Sequence, residues 1–272
     1  MNIRIRSISY FINQYQQEPN LPTLVLLHGF LGSGVSFNNL LPYLKPFCNP
    51  ITVDLLGHGK TEGAELHYRF STSEQIADLS KLINEQISSP VFLYGYSMGA
   101  RLALQLALTR PDLLQGLILE SGTFGIEGET ERQARQALDA SSADQIIGNF
   151  DGFLDSWNDK PLFQSSLSKN HLEEIFETQN NQNSVWMANS LLGFGSGTMP
   201  CVRDRLKELV SPTQLIVGDQ DLKFTRINQT MNKEIRDSKL TIVENSNHRV
   251  HLEQPEQCAE ILKNFIIKHQ LS

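Results

Sequence analysis

At the amino end of the chain Ile3 and Ile5 alternate with Arg4 and Arg6, and the pattern continues through Ile8, Tyr10 and Ile12. A period near two predicts half-buried antiparallel strands, because successive strand side chains point to opposite faces of a sheet. A loop follows from Gln14 to Pro22. Thr23 to Leu27 (TLVLL) is then almost wholly apolar and bounded by Pro22 and Gly29, the pattern of a strand covered on both faces. Runs of the same kind recur at Ile51 to Val53, Val91 to Tyr94, Leu117 to Leu119, Gln214 to Val217 and Leu240 to Val243. Helical spacing lies between several of them. Ser73 to Ile87 places Ile76, Leu79, Leu82, Ile83 and Ile87 at threes and fours, Ala100 to Leu108 is rich in Leu and Ala, and a further helix opens at Pro255. Strands alternating with helices predict an α/β fold on a mostly parallel, doubly wound sheet.

The rhythm breaks between about Phe124 and Leu206, where polar helical patterns, Trp157 and an Asn/Gln-rich piece replace apolar strands. This stretch reads as an inserted helical cap, residues 123–206, on a core formed by residues 1–122 and 207–272. Gly122 and Gly125 mark one end, and the turn Gly193-Phe194-Gly195-Ser196-Gly197 marks the other. No strand precedes these last glycines and no Gly-Lys-Ser/Thr follows them, so they read as a hinge and not as a phosphate loop.

With 272 residues the chain has the length of one α/β domain carrying an insertion. Hydrophobic residues make up 40% and charged residues 19%, which excludes long disorder, collagen-like repeats and a coiled coil. The net charge is −7 with no Lys/Arg-rich run, so nucleic acid is not an expected partner. Cys48, Cys201 and Cys258 are odd in number and lack a C-x-x-C spacing, which suggests neither a disulfide framework nor a zinc site and fits a reducing compartment. Charges interrupt the first apolar residues, and no run approaches the roughly 18 apolar residues of a membrane helix. A cytoplasmic protein without membrane attachment is the expectation; oligomeric state has no signature here.

Gly95-Tyr96-Ser97-Met98-Gly99 follows one predicted strand and precedes a predicted helix, the context of a G-x-S-x-G nucleophile elbow. The turn is so tight that side chains two positions before and after the serine would clash. His28-Gly29-Phe30 follows the earlier strand, where this architecture draws its second oxyanion donor, so the amides of Phe30 and Met98 are the expected pair. Gly218-Asp219-Gln220-Asp221 follows the next strand past the insertion, and Asp221 is preferred to Asp219 as the acid. Asn247-His248 follows the last strand. The order Ser97, Asp221, His248 makes His248 the base, with Asp221 fixing its tautomer. His28 and His251 read as structural histidines. In Asp54-Leu55-Leu56-Gly57-His58-Gly59, Asp54 reads as a partner of nearby backbone.

These segments resemble the α/β-hydrolase superfamily over nearly the whole chain. More narrowly, LLHGFLGSG, VDLLGHG, GYSMGAR, the Glu131-Arg132 to Arg135 arrangement, GDQDLKF and SNHRVH resemble the 2-succinyl-6-hydroxy-2,4-cyclohexadiene-1-carboxylate synthases of menaquinone and phylloquinone biosynthesis. The resemblance implies an α/β-hydrolase fold and a carbon–oxygen lyase that eliminates pyruvate from a small anionic polycarboxylate. It implies no cofactor and no metal. It also implies that Ser97 serves as a base, and that Tyr96, Arg101, Arg135 and Trp157 contact substrate; Arg132 is the weaker member of the arginine pair. One departure stands out: the stretch Glu177-Thr178-Gln179-Asn180-Asn181 carries no arginine where the family often has one, leaving amides or a residue such as Lys223 to replace it. A serine hydrolase of small esters or C–C bonds, and a non-catalytic ligand-binding member of the same fold, are the alternatives.

Overall fold

Apolar runs bounded by Pro, Gly and Asp assemble into one eight-stranded sheet in a computed structural model that describes residues 1–164 and 167–270. The elements in chain order are β1 (Asn2–Ile5), β2 (Ile8–Gln14), β3 (Thr23–Leu27), α1 (Leu41–Leu44), β4 (Asn49–Val53), α2 (Thr72–Leu82), β5 (Val91–Tyr96), α3 (Met98–Thr109) and β6 (Leu114–Glu120). They continue with α4 (Glu129–Gly148), α5 (Phe150–Asn158), α6 (Lys169–Asn180), α7 (Ser184–Phe194), β7 (Thr213–Gly218), α8 (Leu222–Glu234), β8 (Ser238–Val243), α9 (Val250–Glu253) and α10 (Pro255–His269).

The strands lie in the order β1-β2-β4-β3-β5-β6-β7-β8, antiparallel from β1 to β4 and parallel from β4 onward. Alternation within each strand feeds two cores. Leu24, Leu26, Phe92, Tyr94 and Ile118 pack on one face with Leu262 and Phe265 of α10, whereas Val25, Leu27, Leu93 and Leu117 pack on the other with residues of α2 and α3. The chain leaves β3 for β4 on one side and β5 on the other. A doubly wound sheet therefore opens a crevice beyond the carboxyl ends of β3 and β5, the place where such sheets bind ligands.

The helix expected from Ser73 to Ile87 is α-helical only to Leu82. A wider π-type turn covers Ile83–Ile87 and ends at Ser88, whose φ is 71°.

Helices α4 to α7 lie between β6 and β7, and no strand occurs among the described residues of that insertion. They bury Ile146, Phe153, Leu154, Met187 and Leu191 in a cluster of their own, which takes in Leu31 from the loop after β3. Hydrogen bonds reinforce the join: Gln182 donates to the Leu31 and Gly32 carbonyls at 3.3 and 3.1 Å, and Asn189 donates to those of Ala64 and Glu65 at 3.0 Å each. The glycine-rich turn expected at Gly193 starts later, because α7 runs through Phe194. Gly193 instead allows close packing, since a side chain there would meet the His67 carbonyl and Phe70. Among the described residues no helix is long and apolar enough to cross a membrane.

Candidate active site

β5 stops at Tyr96 and α3 starts at Met98, so Ser97 must turn the chain by itself, at φ 51° and ψ −105°. A non-glycine residue at positive φ costs on the order of 1–3 kcal/mol and persists only where its surroundings hold it. Here the Ser97 amide donates to the Glu120 carbonyl at 2.9 Å, and the two glycines give the turn room. A side chain at Gly95 would strike the Gly99 carbonyl, and one at Gly99 would strike the Leu27 carbonyl. We expect Gly99→Ala to lower stability by about 1–3 kcal/mol, the usual cost of overpacking, read from the urea midpoint.

Ser97, His248 and Asp221 stand on three separate loops and come together. Ser97 Oγ lies 3.0 Å from His248 Nε2, and His248 Nδ1 lies 2.6 Å from Asp221 Oδ2. The short contact to a carboxylate places the proton on Nδ1, which leaves Nε2 to accept from the Ser97 hydroxyl. His248 and Asp221 are 1% and 3% exposed, so little water competes for these bonds. Asp221 also caps α8, accepting from the Phe224 amide at 3.3 Å. Asp219 serves a different purpose, accepting from the Ser246 amide at 3.2 Å and so holding the loop that carries His248.

The amides of Phe30 and Met98 border the same space. A Cβ built on Gly29 would lie 3.5 Å from Ser97 Cβ, which shows how closely the loop after β3 approaches the elbow. Among the described residues neither the Phe30 nor the Met98 N–H has a protein acceptor. Met98 is the first residue of α3, whose opening amides are free by helix geometry.

A cavity of about 1370 Å³ extends from this point beneath α4 to α7 and is lined by all nine residues singled out from the sequence except Asp221. Its chemistry is set by cations. Arg101, one helical turn past Ser97, donates to the Phe194 carbonyl at 2.9 Å and to Met199 Sδ at 3.4 Å, and its guanidinium lies 4.9 Å from the Phe194 ring centre. No carboxylate pairs with it among the described residues. Burial, reinforced by Arg135, pushes its pKa down to about 10, so it remains charged at neutral pH.

Arg135 lines the cavity but spends Nε on Asp139, at 2.8 Å. Lys160 joins them, its Nζ 3.8 Å from the Trp157 ring centre, with its pKa lowered by burial and by Arg135. Arg101, Arg135 and Lys160 thus all interact with Asp139, and Asp54, Glu174 and Glu177 also line the cavity. Arg132 points elsewhere, paired at the surface with Glu129. Lys223 lines the cavity beside the Phe224 ring, and Gln179 and Asn181 line it as amides. Trp157 forms a wall with Phe30 and Phe163, at ring separations of 5.3 and 5.4 Å. Tyr96 is largely buried, its ring 4.6 Å from that of His251 and 5.5 Å from that of His248. Burial pushes its pKa up to about 12, against the pull of Arg249.

His28 and His251 are held in place. His28 Nε2 accepts from the Leu55 amide at 2.9 Å, so Nδ1 donates to the Gly29 carbonyl at 2.7 Å, and burial drops its pKa to about 4. It is neutral and shapes the loop that carries Phe30. His251 Nδ1 lies 2.8 Å from the buried Glu120 carboxylate. Asp54 accepts from the amides of Gly34 and Lys60 at 2.6 and 2.8 Å.

The model of the alpha/beta hydrolase family matches residues 24–261, most of the chain. The chain belongs to this family. Within the family, a Bacillus subtilis (strain 168) protein named provisionally as 2-succinyl-6-hydroxy-2,4-cyclohexadiene-1-carboxylate synthase is 37% identical over 246 residues, 89% of each chain. The synthase of that name from Serratia proteamaculans (strain 568) is 28% identical over 93% of this chain and 96% of its own. A solved structure of MenH from S. aureus superposes with a TM-score of 0.91 at 29% identity, covering 96% of this chain and 99% of that one.

Two of the cavity cations, Lys160 and Arg249, are not singled out by the sequence. Lys160 sits three residues after Trp157, and this helical spacing is the available signal. Arg249 immediately follows His248, and nothing in its spacing marks it.

Proposed function

We propose that this chain eliminates pyruvate from 2-succinyl-5-enolpyruvyl-6-hydroxy-3-cyclohexene-1-carboxylate, giving 2-succinyl-6-hydroxy-2,4-cyclohexadiene-1-carboxylate. One observation carries the reading. The Ser97–His248–Asp221 relay opens into a cavity where a half-buried Arg101, one turn away, has no carboxylate of its own among the described residues. A half-buried guanidinium held only by a carbonyl and a thioether keeps its charge uncompensated, so such a cavity favours an anionic ligand. The relatives named above support the particular substrate.

His248 draws the proton from Ser97, and the Ser97 oxygen removes the ring proton α to the succinyl ketone. Electrons shift through the ring alkene, the carbon–oxygen bond to the enolpyruvyl group breaks, and the departing enolate takes the proton from His248 to leave as pyruvate. Charge on the ketone oxygen in the dienolate is met by the Phe30 and Met98 amides, donors worth about 3–4 kcal/mol each in a dry site. Arg101 and Arg135 hold carboxylates, with Tyr96 and Trp157 as walls. No water is consumed and no metal enters the scheme. Residues 123–206 act as the cap over a core of residues 1–122 and 207–272, and a cytoplasmic location completes the proposal.

Arg101→Met keeps the bulk against Phe194 and removes the charge. It should lower kcat/KM by about 10- to 150-fold, from the 1.5–3 kcal/mol of a charge-assisted hydrogen bond. Steady-state rates of pyruvate release check this. The proposed activity is tested by supplying the enolpyruvyl substrate and following pyruvate and diene absorbance together, which should rise in equal amounts. A burst from an activated ester, with no pyruvate from the enolpyruvyl compound, supports a serine hydrolase instead. Tight retention without turnover supports a ligand-binding protein.

A further inference from the structure

Like Arg101, Arg249 is a cavity arginine that forms no ion pair among the described residues, and it is the more buried of the two. It is 6% exposed and lines the cavity. Its guanidinium carbon lies 4.4 Å from the centre of the Phe163 ring, and among the described residues no carboxylate forms an ion pair with it. The polar group beside it is the Tyr96 hydroxyl, which is neutral, and the Glu253 carboxylate feels its charge without forming an ion pair with it. Arg69 provides the control: at 8% exposure it is as buried, yet it holds Asp78 at 2.6 Å. The less buried Arg110, Arg203 and Arg205 also hold carboxylates, at 2.6, 2.7 and 3.0 Å. The acid closest in sequence, Glu253, is engaged otherwise, accepting from the backbone amides of Asn247 and Arg249 at 2.8 and 3.3 Å.

The surroundings are ordered. Lys160 lies over Trp157, Trp157 packs on Phe163 at 5.4 Å and 35°, and Arg249 lies over Phe163, so two cations cap the ends of an aromatic ladder along one wall. The ladder passes His248, whose ring is 5.9 Å from that of Phe163. Asn247 ties the same loop to the cap by donating to the Pro161 and Gln164 carbonyls at 3.0 Å each. A guanidinium has five N–H donors in one plane. One hydroxyl neighbour leaves most of them to match a carboxylate in a two-point bond.

We infer that Arg249 is a further carboxylate-binding residue of the cavity, next to His248 in the chain and additional to Arg101 and Arg135, and that it takes up one carboxylate of a polycarboxylate ligand. It fills the role left open by the stretch Glu177 to Asn181, which carries amides and no cation. The inference deepens the proposed function and rests on it for the identity of the ligand.

The test uses the full-length Ser97→Ala protein and tricarballylate, a simple tricarboxylate, titrated by calorimetry. Arg249→Met, which keeps an apolar stem on Phe163, should weaken binding tenfold or more, and Arg249→Lys should weaken it less. In the enzyme with Ser97 intact, Arg249→Met should raise KM more than it lowers kcat. Melting temperatures close to the parent show that both variants fold. Equal affinity for tricarballylate in parent, Met and Lys proteins overturns the inference, as does a parent protein that binds no tricarballylate. Pyruvate release with KM unchanged in Arg249→Met overturns this inference alone. Tricarballylate binding that depends on Arg249, in a protein that releases no pyruvate, upholds the anion site and overturns the elimination reading.

Discussion

Ser97→Ala should lower the rate of pyruvate release by about 10,000-fold or more while leaving the protein folded and able to bind substrate. The substitution deletes one oxygen. Alanine accepts the φ of 51° about as well as serine does, and the bond from the residue 97 amide to the Glu120 carbonyl is untouched. What disappears is the atom 3.0 Å from His248 Nε2, which is placed to pass a proton to the imidazole from the cavity side. Arg101, Arg135 and the two amides stay, so ground-state binding should survive. Steady-state assay of pyruvate, beside calorimetric titration of the inactive protein, separates the two effects. A variant with near-parental turnover would remove Ser97 from the chemistry.

Asp221→Asn should produce the second largest effect, about 10,000-fold in kcat. The side chain has two duties that this substitution separates. As the N-cap of α8 it accepts from the Phe224 amide, and asparagine caps helices as well as aspartate does. Stability should therefore change by less than about 1 kcal/mol. As the partner of His248 Nδ1, 2.6 Å away, it fixes the tautomer and offsets the positive charge that forms when Ser97 gives up its proton. An amide can turn its NH2 toward Nδ1, which favours the wrong tautomer and leaves Nε2 protonated. Loss of turnover with an unchanged melting temperature is the expected pair of results. Equal loss of both would mean that Asp221 is mainly a helix cap.

The central strands are legible in the sequence because each is covered on both faces and so is apolar throughout: Thr23 to Leu27 and Val91 to Tyr94 need no context to be read. Their ends are less so. β4 begins at Asn49, before Pro50, because a proline near the start of a strand gives up little of the ladder. Helix α8 leaves almost no trace in the pattern, since its buried side is limited to residues such as Asn228 and Met231 and its cap is Asp221 itself. The elbow is legible because the sterics of Gly95 and Gly99 leave few other turns. The meeting of Ser97, Asp221 and His248 follows from chain order on a sheet whose topology the alternation already implies. The cations divide differently. Arg101 is placed by its distance from Ser97 along one helix, whereas Arg249 depends on Phe163, which is far away in sequence and brought close only by folding. Arg135, which the resemblance implies contacts substrate, has its Nε bound to Asp139, four residues on along the same helix face.

The proposed reaction has Ser97 act as a base on carbon, with no covalent bond from Ser97 to substrate. It is tested most directly by comparing the enolpyruvyl substrate with its analogue deuterated at the ring carbon bearing the succinyl group, with intact-protein mass spectrometry during turnover. A base at Ser97 predicts a primary isotope effect on kcat/KM for pyruvate release and an unmodified protein mass. An adduct on Ser97 that forms and decays at the rate of turnover, with no isotope effect, would contradict it.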